Sequence, residues 1–149
     1  MNRTLDRDTL AALIPHAGAM CLLDAVLDWD ATRIHARSTS HAHAAHPLRR
    51  DGALHALHLC EYGAQAAAVH GALAARAAGA APRPGLLAAL REVRLCAAAV
   101  DPAGGALDIE AECLFGDAHG AQYAFRVAQG GCLLASGRAT IVHAAAPRA

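Results

Sequence analysis

The spacing of apolar residues divides the chain into strand-like segments on either side of one long helical segment. In residues 33–40 (RIHARSTS), small or apolar side chains alternate with polar ones, which is the two-residue period of a β-strand. The apolar run at residues 19–29 predicts a second strand. Residues 5–13 predict a short helix that Asp8 caps and Pro15 ends.

Residues 52–79 are predicted to form the one long helix. This segment is rich in alanine, the strongest helix former, and contains no proline. Glu61 and Arg76 are its only Asp, Glu, Lys or Arg residues. A helix that is apolar on all sides is typical of a helix buried in a core.

Four more strands are predicted after this helix, at residues 86–100, 106–115, 122–129 and 132–143. The breaks between them, DPAGG, GDAHG and QGG, consist largely of turn residues. We expect each break to be a hairpin turn, so that consecutive strands pair in antiparallel fashion. One long buried helix wrapped by a curved antiparallel sheet is an α+β arrangement, the hot-dog fold. Because such a sheet leaves its edges open, a dimer with a continuous sheet is expected.

Composition limits the classes of function. The 149 residues fit a single domain, 1–149, and the formal net charge is zero when histidine is neutral. Because the chain has no basic stripe with interleaved aromatic residues, a nucleic-acid partner is not expected. No apolar run is long enough to span a bilayer, so no membrane partner is expected either. The first residues lack the pattern of a signal peptide, which predicts a cytoplasmic location.

The sequence does not favour a metal or another cofactor. Its five cysteines are scattered, odd in number and never spaced as CxxC, so we expect apolar packing rather than disulfides or zinc ligation. His55, His58 and Glu61, spaced by three on the predicted helix, could be drawn into a metal site. The histidines near residue 43 could add to it, but nothing fixes them in tetrahedral geometry.

His46, followed by Pro47 in a polar loop (residues 41–51), and Glu61 at the head of the helix are the candidate catalytic pair. A neutral imidazole is a suitable base near neutral pH, and a carboxyl group in an apolar helix is costly unless it is paired or functional. Together they are the minimum parts for removing water from a β-hydroxy thioester. The alternative for His46 is a solvated loop residue.

Two neighbours of Glu61 have open roles. Gln65 lies one helical turn after Glu61 and on the same face, where it could orient Glu61 or the substrate. It could equally be a glutamine that is simply hydrogen-bonded at an interface. Tyr62 points to a different face and is predicted to pack.

Four stretches in order resemble the β-hydroxyacyl-acyl-carrier-protein dehydratases. They are LIPHAGAMCLLDAV, the His46-Pro47 loop HPLRRDG, the helix motif EYGAQA, and the segment GLLAALREVRLCAAAVDPAGGALDIEAE. The loop and helix motifs are most similar to the branch of this family found in bacterial aryl-polyene pigment clusters. In the first stretch, His16 and Asp24 are expected to tie the first strand to its neighbours.

The resemblance implies roles for particular residues. His46 would remove the α-proton and Glu61 would protonate the departing β-hydroxyl, with the two supplied by different subunits of a homodimer or a heterodimer. Backbone N–H groups near Ala56 and Leu57 would stabilise the thioester oxygen, and Gln65 would help to bind the substrate. The family usually has proline or proline-glycine near residues 55 and 56, whereas this chain has His55-Ala56.

The implied partner is an acyl carrier protein that bears the acyl chain on phosphopantetheine. Arg49 and Arg50 are the first candidates for docking this acidic protein, and Arg76 and Arg83 are further ones. Two other functions stay open. A hot-dog thioesterase also uses a helix carboxylate, although it needs no histidine at position 46. A non-catalytic subunit that pairs with a related active chain is compatible with the change at His55-Ala56.

Overall fold

The structure is a computed structural model that describes residues 4–13, 21–81 and 85–143. In chain order, the α-helices and strands of these residues are α1 (Arg7–Ala11), β1 (Ala25–Trp29), β2 (Arg33–Ser38), α2 (Leu59–Ala77), β3 (Gly85–Leu95), β4 (Leu107–Gly116), β5 (Gly120–Gln129) and β6 (Cys132–His143).

The strands form a six-stranded sheet in the order β1-β2-β4-β5-β6-β3, with every neighbouring pair antiparallel. The long helix α2 packs against β2, β4, β5 and β6, and most of its side chains are buried. The predicted α+β architecture, one long buried helix on an antiparallel sheet, is therefore confirmed. In the described part of the chain, no helix has the length and apolar character needed to cross a membrane.

The prediction that the last four strands pair consecutively is wrong for the first pair, because β3 and β4 are not neighbours in the sheet. The hairpins β4–β5 and β5–β6 form, but β3 pairs with β6 at the edge of the sheet and β4 pairs with β2. The segment between β3 and β4 is a crossover, because the loop before α2 supplies its hydrogen bonds. Ala56 N–H donates to the Ala98 carbonyl at 3.1 Å, and Val100 N–H donates to the Leu54 carbonyl at 2.9 Å.

The predicted helix ends also need correction. Helix α2 begins at Leu59 rather than near residue 52, because Asp51 and Gly52 have positive φ and the chain turns back there. His55 is extended, so it does not share a helix with His58 and Glu61 as predicted.

At the first helix, the capping residue is Asp6 rather than Asp8. The Asp6 carboxylate accepts the Thr9 N–H at 2.9 Å, which satisfies one of the helix's unpaired donors. Strand β1 is shorter than predicted and begins at Ala25. Pro15 and the first two residues of the predicted strand 19–29 lie outside the described residues.

The core lies between α2 and the sheet, and Tyr62 and Phe125 are its largest fully buried side chains. Cys21 and Cys60 are buried there, as predicted for small apolar side chains. Cys96 and Cys132 are exposed, because they lie just after β3 and at the start of β6, where the sheet ends. The prediction of apolar burial is wrong for these two.

Candidate functional site

His46 lies in the loop between β2 and α2, and its side chain is turned inward, with the residue 6% exposed. Its Nδ1 accepts the Leu48 N–H at 3.0 Å, and its Nε2 lies 2.9 Å from the hydroxyl of Tyr62. An amide N–H can only donate, so Nδ1 carries the lone pair and Nε2 carries the proton in the neutral ring. The imidazole therefore donates to Tyr62.

Hydroxyl groups continue this hydrogen bond into the core. Tyr62 Oη lies 2.6 Å from Ser40 Oγ, which lies 2.9 Å from Ser38 Oγ. Ser38 donates to the carbonyl of Leu22, which can only accept. The direction of every bond in the chain follows: His46 donates to Tyr62, Tyr62 to Ser40, Ser40 to Ser38, and Ser38 to Leu22. This set of residues is called the His46 relay below.

Burial keeps both rings of the His46 relay neutral. It lowers the pKa of His46, and the nearby Arg49 guanidinium lowers this pKa further. Burial also raises the pKa of Tyr62 to about 12. A neutral imidazole is the form a general base needs, but its one lone pair is occupied by the Leu48 amide in this arrangement.

Glu61 is in the first turn of α2, half-buried, and directly precedes Tyr62. Across the described residues, no hydrogen bond or ion pair joins Glu61 to His46. His46, the predicted base, therefore contacts Tyr62, which is next to Glu61, the predicted acid, at the start of α2. Tyr62 packs in the core as predicted, and its hydroxyl also hydrogen-bonds the ring of His46.

The residues predicted to bind substrate have different surroundings. The Ala56 N–H, a predicted donor to the thioester oxygen, already donates to the Ala98 carbonyl at 3.1 Å, and Ala56 is buried. Leu57 is 55% exposed at the start of the helical region. Gln65 is buried, and its Oε1 accepts the Leu22 N–H at 2.9 Å. Gln65 therefore links α2 to the segment before β1, which matches the alternative of a hydrogen-bonded structural glutamine.

The predicted docking arginines fold back onto the histidine loop. Arg49 is half-buried and donates from Nη2 to the His41 carbonyl at 3.1 Å. Arg50 is exposed and donates to the carbonyls of Pro47 and Arg49. Arg76 is exposed near the end of α2, and Arg83 lies outside the described residues.

Asp24 has the structural role predicted for it. Its carboxylate accepts both the N–H and the hydroxyl of Thr39, at 2.6 and 2.7 Å, and it pairs with Arg7 at 3.2 Å. It thus joins the segment before β1 to the end of β2. His16 lies outside the described residues.

Sequence reasoning missed a second histidine–tyrosine pair, His70 and Tyr123. His70 Nδ1 lies 2.6 Å from the Tyr123 hydroxyl, and His70 Nε2 lies 2.9 Å from the Asp30 carbonyl. The composition, with two tyrosines and ten histidines, does not indicate which of them pair, so this contact is seen only in the structure. Within the described ranges, no group of three or more His, Cys, Asp or Glu residues could hold a metal ion.

The candidate catalytic pair, His46 and Glu61, does not lie in the cavity beside α2. A cavity of about 790 Å³ lies beside the second half of α2, between Ala67 and Arg76, and neither His46 nor Glu61 lines it.

One long helix packed on a six-stranded antiparallel sheet is the hot-dog fold. Residues 8–149 match the sequence model of the ApeP-like dehydratases, described as ApeP dehydratase. The chain therefore belongs to the ApeP-like dehydratase family. No curated protein sequence matches it.

Solved structures agree with this fold. The dehydratase heterocomplex ApeI:P from Xenorhabdus doucetiae is similar with a TM-score of 0.82 and 25% identity, over 96% of this chain and 93% of that one. AziG of S. sahachiroi is similar with a TM-score of 0.64 and 19% identity, over 88% and 97%. A hypothetical thioesterase with coenzyme A from Streptococcus pneumoniae has a TM-score of 0.58 and 12% identity, over 80% and 84%.

Proposed function

We propose that this protein is a hydro-lyase that removes water from a (3R)-hydroxyacyl thioester on acyl carrier protein. The product would be the trans-2-enoyl thioester, in fatty-acid or aryl-polyene biosynthesis. One observation carries the proposal: a buried, neutral His46 is held at the start of α2 by Tyr62, the residue next to the half-buried Glu61. Membership of a dehydratase family supports the reaction class.

In this proposal His46 takes the α-proton of the thioester on Nδ1, the only ring nitrogen with a lone pair. The Leu48 amide must turn away from Nδ1 for this step. The Nε2–H bond to Tyr62 stays in place and stabilises the imidazolium that forms. Protonated Glu61 donates to the β-hydroxyl, the carbon–oxygen bond breaks, and water leaves as the double bond forms.

A second subunit would complete the site. Strand β3 is an edge strand of eleven residues, and it exposes Leu86 and Leu90, 71% and 37%. An apolar edge of this length favours pairing with another sheet. The neighbouring subunit, a second copy or a related chain, would supply the residue that pairs with His46 or Glu61. Exposed Arg50 would then be a contact for the acidic carrier protein, and Arg49 would hold the loop beneath it.

The test is dehydration of a β-hydroxyacyl carrier protein by the wild type, His46→Ala and Glu61→Gln. Both variants should lose enoyl formation, by at least about a hundredfold, while keeping the mass and circular dichroism of the wild type. Turnover close to wild type in either variant would remove that residue from the mechanism. A saturated acyl thioester serves as the control, because release of free thiol from both substrates would identify a thioesterase.

A second candidate function is supported by a specific observation. Both ring nitrogens of His46 and the N–H of Ala56 are already hydrogen-bonded within the chain. Groups paired in this way suit a non-catalytic subunit that supports a related active chain. If the protein forms no product alone, and the mixed assembly keeps full turnover with His46→Ala, this second function is the correct one.

A further inference from the structure

The His46 relay has a backbone group at each end, and both groups require the same direction of hydrogen bonding. At one end the Leu48 N–H donates to His46 Nδ1, and at the other end the Leu22 carbonyl accepts from Ser38. An amide N–H can only donate and a carbonyl can only accept, so the two ends agree on every bond between them. The direction of the relay is therefore fixed by groups that do not titrate.

Two serines, Ser38 and Ser40, form the part of the relay beyond Tyr62, and they are called the serine pair below. Both are buried. The Ser38 oxygen accepts the N–H of Ser40 at 3.1 Å and its hydroxyl at 2.9 Å, while the proton of Ser38 goes to Leu22. The proton of Ser40 is thus already given to Ser38. Ser40 cannot donate to Tyr62, and its oxygen accepts the Tyr62 proton at 2.6 Å.

The serine pair decides where the hydroxyl proton of Tyr62 points. While this proton goes to Ser40, the Tyr62 oxygen accepts from His46, and the ring keeps its proton on Nε2. If the Tyr62 proton turned toward His46, Nε2 would have to accept it, and the proton of the ring would move to Nδ1. Nδ1 is the nitrogen that takes the α-proton in the proposed reaction, so a ring in this second tautomer cannot act as the base.

The serine pair also strengthens the bond that a charged His46 would make. A hydroxyl group that donates its own proton is a better acceptor, because consecutive hydrogen bonds polarise one another. Tyr62 donates to Ser40 and is therefore a stronger acceptor for the Nε2–H of His46. This bond favours the imidazolium over the neutral ring.

The charged and titratable groups that act on His46 belong to its own loop and to the segment that leads into α2. Burial lowers the pKa of His46 most, and four basic groups lower it further: Arg49, His43, His58 and His41. From α2, the titratable group against the ring is Tyr62, which is neutral because burial raises its pKa to about 12. Substituting the serine pair changes none of these groups.

We propose that Ser38 and Ser40 are positioning residues for the proposed reaction: acting through Tyr62, they hold His46 as the Nε2–H tautomer and so keep Nδ1 as the base. The inference rests on the proposed function for the role of this base. The tautomer itself can be measured without turnover. Both serines are buried, so they act on the reaction through His46 and do not touch the substrate.

The first test is NMR of the ring nitrogens of His46, in protein made with isotope-labelled histidine and with His46→Ala used for assignment. The neutral ring of the wild type should carry its proton on Nε2. In the double variant Ser38→Ala with Ser40→Ala, His46 should titrate at a lower pH than in the wild type. The neutral ring gains Tyr62 as a donor there, and the charged ring loses a polarised acceptor. A wild-type ring protonated on Nδ1, or a double variant that titrates like the wild type, would overturn the proposal.

Thr39→Ala is the matched control. Thr39 lies between the two serines, and its hydroxyl donates to Asp24 at 2.7 Å, outside the His46 relay. His46 should titrate in this variant as it does in the wild type. If the double variant does not fold, Ser40→Ala alone decides the question, because it removes the acceptor of the Tyr62 proton, and an unchanged titration counts against the proposal.

The second test measures dehydration of a β-hydroxyacyl carrier protein. The double variant should lose about tenfold in kcat with KM unchanged, because the Tyr62 proton then competes for the ring and leaves less of it in the reactive tautomer. The acid limb of its kcat profile should move to lower pH, in step with the NMR titration. A loss of stability alone would not move this limb. Thr39→Ala should keep the kcat and the pH profile of the wild type.

The positioning role and the proposed reaction can fail separately. A shifted titration in a protein that dehydrates nothing would keep the hold of the serine pair on His46 and remove the reaction. Dehydration that depends on His46, with an unchanged titration in the double variant, would keep the reaction and remove the role of the serine pair.

Discussion

Each of the two tyrosines holds a buried histidine, and a backbone group decides the direction of the bond in each pair. The Leu48 amide donates to His46, so that ring must donate to Tyr62. The Asp30 carbonyl accepts from His70, so that ring must accept from Tyr123. Both histidines are the Nε2–H tautomer, yet Tyr62 accepts a hydrogen bond from its histidine, whereas Tyr123 donates one to its histidine.

Removing the Tyr62 hydroxyl should destabilise the protein through the His46 relay. Tyr62→Phe leaves the His46 Nε2–H and the Ser40 hydroxyl without their partner in a buried site, which should cost about 1–3 kcal/mol in the free energy of unfolding. Urea unfolding measures this loss. In a cycle with His46→Ala the two losses should not add, because the substitutions remove the same bond. Additive losses would mean that the two rings are not coupled.

Stability should fall as the solution becomes acidic. Burial lowers the pKa of His41, His46 and His70 in the folded chain, so the unfolded chain binds more protons near and below the ordinary histidine pKa of about 6.5. The stability of these neutral rings is complete above that pKa and declines as the pH falls towards their folded values.

Urea unfolding midpoints at about pH 7.5 and about pH 5.5 should show this decline. His70→Gln removes one of the three groups and should make the decline smaller. A midpoint that stays constant between the two pH values would contradict the assignment of neutral buried rings.

Among the secondary-structure elements, the sequence pattern predicted strand bounds, which depend on neighbouring residues, better than strand pairing. The bounds of β5 and β6 match the prediction closely, because glycine-rich turns separate two alternating segments. The pairing of β3 with β6 was not predictable in this way. It depends on hydrogen bonds between the crossover and residues 54–56, which are distant in the sequence.

The same contrast holds at the candidate site. His46 and Glu61 could be chosen from their chemistry and from the resemblance to a dehydratase family. The bond from His46 to Tyr62 could not, because helical spacing gives the direction of a side chain but not the loop that folds against it. The inward-facing serine of β2, Ser38, was a weak sign of polar partners in that part of the core.

Helix α2 packs more tightly against the sheet at Gly63 than at Gly71. Replacing each glycine with alanine should therefore have opposite effects on stability. Gly63→Ala should destabilise the protein by about 1–3 kcal/mol, because its methyl group would overlap Phe125. Gly71→Ala should stabilise it by up to about 1 kcal/mol, since alanine favours a helix and the new methyl group meets only the Tyr123 hydroxyl at 3.9 Å. Thermal unfolding of both variants checks the pair, and equal effects would show that α2 packs evenly.

For the whole molecule, the edge strand β3 predicts self-association. Light scattering should give the purified chain a mass above that of one protomer. Leu86→Asp combined with Leu90→Asp should reduce it to one protomer, because both side chains are exposed on this apolar edge. The matched control is Leu114→Asp, an exposed leucine on the interior strand β4, which should leave the mass unchanged. A single-protomer mass for the unsubstituted chain would exclude a homodimer.

Because of the crossover between β3 and β4, strand β3 cannot pair within the sheet until the last strand has been synthesised. Strand β3 leaves the ribosome before β6, its sole neighbour in the sheet, and their residues are separated by about fifty positions. Until β6 has been synthesised, the leucine-bearing strand β3 has no partner strand for its backbone hydrogen bonds. We expect a chaperone, or a subunit that is already folded, to bind this strand first.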